Sequence, residues 1–176
     1  MKKILTVSAL SIAMVSGSAF AGNNTGDVQF VGVVTDTTCD IVPYVNGAPN
    51  SIVNIGSATT INGSASTGPV TQFFLKVANG ATCGDASLNN AVFNFYSNTL
   101  NANGIGNSTG TATDSNMLLT VLNANAGIQP IDQSNNTAEI SLPLFNSDGL
   151  NLTAQLMGGT VPGSYESTMT YTVYYN

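Results

Sequence analysis

The chain has 176 residues, no histidine and no arginine, with 43% hydrophobic and 7% charged residues and a formal net charge of −6. Without histidine, neither a Ser-His-Asp nucleophile nor a His-ligated metal centre can be built. Outside the first three residues Lys76 is the single basic residue against nine acids, a net charge of −8. One cation cannot neutralise a run of phosphates or an anionic lipid surface, so neither nucleic acid nor such a membrane is a partner.

At the start, Lys2 and Lys3 precede the apolar run "ILTVSALSIAMV" and the small-residue ending Ala19-Phe20-Ala21. This is the pattern of a cleavable secretory leader. The run is shorter than the roughly 20 residues that a membrane span needs. Residues 1–21 are therefore read as a signal peptide directing export to the periplasm, with Gly22 as the first mature residue. The remaining 155 residues, 22–176, suit one domain.

Next comes "GDVQFVGVVTDTTC", Gly26 to Cys39. Val28, Phe30, Gly32 and Val34 share one parity, which is a half-buried strand pattern with a gap in its packing row at Gly32. Cys39 and Cys83 are the two cysteines, and an even pair in an exported chain reads as a disulfide. Two buried free thiols are the alternative. A 44-residue closed loop would remove about 4 kcal/mol of unfolded-state entropy in the chain-entropy picture.

Further runs alternate with period two. Phe73, Leu75 and Val77 share one face of "TQFFLKV"; Phe93 and Phe95 do so in "AVFNFYS", and Met117, Leu119 and Val121 in "MLLTVL". Leu150, Leu152, Ala154 and Leu156 form a row in "GLNLTAQL", and Met169, Tyr171, Val173 and Tyr175 one in "STMTYTVYYN". Turn signals such as "VNGAPN", "INGSASTG", "NANGIGNSTG" and "MGGTVPGS" separate them. Short alternating strands with Gly/Asn turns predict an all-β sandwich. One helical turn is allowed in "ANGATCGDASLNN", and nothing requires it. The acids are scattered. Asp36 and Asp40 lie closest in sequence, in surroundings unlike a calcium loop, and a carboxylate pair could arise only through the fold. The sequence predicts no enzyme, no cofactor and no metal.

Three features together resemble a known family. "GDVQFVGVVTDTTC" is similar to an N-terminal extension running into a first strand and first cysteine. The second cysteine follows an apolar strand in "FFLKVANGATC". The chain ends "GSYESTMTYTVYYN", with Gly163 fourteenth from the end and Tyr175 penultimate. The chain resembles subunits of the chaperone–usher pili, the type 1 and P group of bacterial fimbriae.

That resemblance implies an incomplete immunoglobulin-like sandwich completed by donor-strand exchange. Residues 22–35 are then a donor strand, with Val28, Phe30, Gly32 and Val34 entering a neighbour's groove, and 36–176 form the pilin domain. Gly163, Met169, Tyr171, Val173 and Tyr175 become the C-terminal row that meets the chaperone and borders the acceptor groove. The implied partners are identical or related pilin subunits, a periplasmic chaperone and an outer-membrane usher. The implied destination is a cell-surface fimbrium supporting adhesion. Adhesion through this subunit itself would add a host glycan receptor, with the loops between 97 and 116 as its place.

Overall fold

In the computed structural model, residues 39–59 and 66–176 are described. The first strand β1 (Ile41–Val45) turns through Asn46 and Gly47, with φ of 53° and 81°, into the short β2 (Ala48–Pro49). An Asn-Gly pair is the sequence that accepts two successive positive φ angles, so "VNGAPN" is a tight hairpin. β3 (Thr67–Val77) lies antiparallel to β1, pairing Ile41 with Val77 and Val45 with Phe73. Its Phe73, Leu75 and Val77 are buried, as the alternation predicts.

A 3-10 turn at Ala78–Gly80 sits inside the stretch where a helical turn was allowed. β4 (Asn90–Tyr96) follows, then β5 (Leu100–Asn101), β6 (Gly104–Gly106), β7 (Asn116–Ala124), β8 (Gly127–Ile131) and β9 (Thr137–Ser141). After helix α1 (Leu142–Asp148) come β10 (Leu150–Met157) and β11 (Thr170–Tyr175).

Two open antiparallel sheets result. The larger runs β2-β1-β3-β10-β7-β6-β5, with β8 added to β7; the smaller runs β11-β4-β9. Their inner faces meet in one core, where Phe93 stacks with Phe95 and edges onto Phe145. The whole row Leu150, Leu152, Ala154 and Leu156 is buried. The all-β sandwich is the observed fold.

The helix departs from the sequence reading. "SLPLFNSDG" carries its signals in the flanks: Pro143 in the first turn, and Gly149 with φ of 82° just beyond the end. Seven residues are too few for a 3.6-residue periodicity to stand out. Leu142 and Phe145, three apart, are the buried pair. Asn146 brackets the second cysteine from this helix: its amide donates to the Cys83 carbonyl (3.1 Å) and its oxygen accepts from the Cys83 N–H (2.9 Å). Cys39 and Cys83 are joined in a disulfide with Cα atoms 5.5 Å apart, fastening the start of β1 to the core.

Candidate functional site

β11 is the last strand of the smaller sheet, paired with β4 on one side, and among the described residues no strand covers its other side. Opposite lies the chain that follows β2, where Val53 and Ile55 turn inward between exposed neighbours. Between that segment and Tyr165–Met169, which lead into β11, is a cavity of about 460 Å³. Its floor is the inner face of the larger sheet, through Phe73, Leu119 and Ala154. Ala154 is the small member of a row otherwise made of leucine, so the floor is recessed there. Ile105, Met117 and Tyr165 line it further, and Met169 stands on the β11 side.

Each wall is held by identifiable bonds. The Tyr171 hydroxyl donates to the Ile41 carbonyl at 2.7 Å, linking β11 to β1. Burial, and then the negative charge of Asp40, raise the Tyr171 pKa. The Tyr165 hydroxyl donates to the Ile105 carbonyl at 2.8 Å, and burial pushes its pKa up to about 12. The segment entering β11 is clamped by Asp114. Its carboxylate accepts from the Thr160 N–H (2.6 Å), the Thr160 hydroxyl (2.7 Å) and the Val161 N–H (3.1 Å). These bonds, that of the Thr160 hydroxyl foremost, lower the Asp114 pKa to about 2. Asn107 adds a second clamp, donating to the Ser164 carbonyl and accepting from the Glu166 N–H.

The structure brings the C-terminal row together. Met169, Tyr171, Val173 and Tyr175 are half-buried and pack on the core, while Thr170, Thr172 and Tyr174 face out. Burial raises the Tyr175 pKa. The Asn176 main-chain oxygen accepts from the Asn89 and Asn90 N–H groups at 2.7 and 2.9 Å, so the end of the strand is tied within the domain. Gly163 lies apart from that row, exposed on the connection before β11. A Cβ there would collide with the Thr111 hydroxyl and stand 2.6 Å from the Ala112 nitrogen. Its conformation is ordinary; its reason for being glycine is this close approach.

Val28, Phe30, Gly32 and Val34 lie outside the described residues, as do the leader and the boundary at residue 35. Sequence reasoning passed over Val53, Ile55, Ile105 and Tyr165. "SIVNI" carries a legible alternation, but nothing local reveals that Tyr165 reaches Ile105, 60 residues away. Among the described residues no three His, Cys, Asp or Glu side chains gather as a metal site.

No protein-family model matches the chain. It is 31% identical over 176 residues to the F107 fimbrial protein of Escherichia coli, covering 99% of both chains. This chain belongs to the family of chaperone–usher fimbrial subunits. It is also 40% identical over 81 residues to the K99 fimbrial protein of Escherichia coli, 46% of this chain and 42% of that protein. A fimbrial subunit assembles with other subunits into a surface fibre.

Proposed function

We propose that the groove accepts an extended segment of a second subunit, and that Val28, Phe30, Gly32 and Val34 are the side chains it takes. The observation that carries this reading is the 460 Å³ apolar cavity lined by the connection that leads into β11, together with that strand's uncovered edge. An apolar floor and unpaired main-chain groups both cost free energy in water. A strand laid into the groove relieves both: its main chain pairs with the edge, and alternate side chains enter the cavity. Burying Val28, Phe30 and Val34 contributes roughly 1.5–3 kcal/mol each. Donor and acceptor are different surfaces, so association is head to tail and yields an open filament.

On this reading a periplasmic chaperone occupies the groove until assembly, docking along Met169, Tyr171, Val173 and Tyr175. An outer-membrane usher exchanges it for the next subunit's donor strand. The product is a surface fimbrium that supports adhesion; its role is structural and involves no catalytic step.

The test relocates the donor. Residues 22–35 are removed from the front of the leaderless chain and appended after Asn176 through a short Gly/Ser linker. Tethering gives the segment a high effective concentration at its own groove. The rearranged chain is expected to be a stable monomer, and the unrearranged leaderless chain to polymerise, aggregate or melt at low temperature. A stable monomer from the unrearranged chain, with an unstable rearranged one, would mean that residues 22–35 are simply the sandwich's own first strand.

A further inference from the structure

A second surface stands out on the outside of the larger sheet. Along β3, Phe73, Leu75 and Val77 point into the core, so Val70, Gln72, Phe74 and Lys76 point away from it. Across the ladder Phe74 pairs with Tyr44 and Lys76 with Val42, which places all four on the outer face. A sheet face turned to water is ordinarily polar. β10 obeys this with Asn151, Thr153 and Gln155, whereas β1 and β3 set the half-exposed Val42, Tyr44 and Phe74 side by side there, with Val70 farther along β3 beyond Gln72, which donates to Asn151. Val70 is 59% exposed. On this apolar strip sits Lys76, its ammonium 4.9 Å from the centroid of the Phe74 ring. Apolar patches of this kind mark interaction sites.

Charge identifies the occupant. Lys76 is the one basic side chain outside the first three residues, against nine acids. Copies gathered in one fibre therefore repel each other through their net charge. Lys76 is the side chain through which one copy can attract another's carboxylate. We infer that the outer face around Tyr44, Phe74 and Lys76 is a lateral contact with a second copy of this chain, separate from the strand-insertion joint, with Lys76 meeting a carboxylate of that copy. The inference rests on the fimbrial-subunit reading and not on which residues donate the strand.

A single lysine makes the test clean. Intact fibres are treated with a carbodiimide, which couples an amine to a carboxylate in direct contact, then dissociated, separated by mass and peptide-mapped. The expected result is a covalent dimer linked from Lys76 to an Asp or Glu, lost in fibres of the Lys76→Met variant. In parallel, acylation of Lys76 should be slower in the fibre than in the dissociated subunit. Fibres that form normally, with Lys76 uncoupled and as reactive as in the free subunit, overturn the lateral contact and leave the fimbrial reading intact. If an acidic oligosaccharide then slowed that reaction, the face would be a ligand site instead. A chain that forms no fibre at all refutes the fimbrial reading itself.

Discussion

The Tyr171 hydroxyl reaches 130 residues back in sequence to the Ile41 carbonyl, at 2.7 Å. It joins the last strand to the first on the side where the two sheets are open. Tyr171→Phe keeps the ring against the core and removes only this bond, leaving the carbonyl without its donor. A hydrogen bond of this kind contributes about 0.5–1.5 kcal/mol net. The expected outcome is a lower urea midpoint for the rearranged chain with an unchanged slope. An unchanged midpoint would mean that the disulfide and the ladder alone position β1.

Gly163 makes a different kind of contribution from Tyr175, although both belong to one C-terminal pattern in the sequence. Tyr175 is half-buried on the core, whereas Gly163 is exposed and pressed against Thr111 and Ala112. Gly163→Ala should displace the 111–112 loop and weaken the approach to β11, with a typical destabilisation of roughly 1–3 kcal/mol for overpacking. Tyr175→Asp places a charge in an apolar row, which costs several kcal/mol when unpaired. The second variant is expected to vanish from the periplasm by proteolysis, and the first to persist at reduced level. Equal amounts of the two on an immunoblot of periplasmic extract would contradict this ranking.

Acid should act on this protein through particular carboxylates. Asp114 has its folded pKa depressed to about 2, from 3.8, by the bonds it accepts from Thr160 and Val161. The sign follows directly: its stabilising effect is fully present above pH 3.8 and is lost as pH falls toward 2. Asp85 and Asp132 are also lowered, chiefly by bonds from Ser87 and Ser134. Once the acids are protonated, few cations remain to repel one another, so charge expansion adds little. The melting temperature of the rearranged chain should hold from pH 7 to about 4 and decline below that. Asp114→Asn should lower the plateau and lessen the decline, and the two curves should converge near pH 2.

Most of the fold was legible because period-two alternation is a local property. Phe73, Leu75 and Val77 had to face one way whatever lay opposite. The one α-helix among the described residues was not, since Leu142–Asp148 completes only two turns and its evidence is Pro143 and Gly149 at its ends. The cavity was legible in part: the alternating rows turn Phe73, Met117, Leu119 and Ala154 inward and set Met169 at its margin. Val53 comes from a distant segment, and Tyr165 meets Ile105 through a bond that no local pattern announces. The same limit applies to Lys76, which a strand pattern places on an outer face without revealing the apolar strip beside it.

The proposed joint sets Ala154 of one subunit against Gly32 of the next. Ala154 leaves the groove floor recessed among leucines, and Gly32 leaves a gap in the donor row. Ala154→Leu should fill part of the cavity from below while remaining within a core row that already holds Leu150, Leu152 and Leu156. Gly32→Leu should overpack the groove from the incoming side. Under the proposed assembly, each variant is expected to reach the periplasm bound to a chaperone and to yield few fibres. If the two positions face each other in the joint, the defects should not add: once insertion is blocked from one side, a second obstruction removes little more. Fibre yields from single and double variants, quantified after heat release from cells, provide the comparison. Normal yield from Gly32→Leu would make that residue an ordinary strand glycine. Normal yield from Ala154→Leu would move the insertion path away from the recess beneath Met169 and Tyr165.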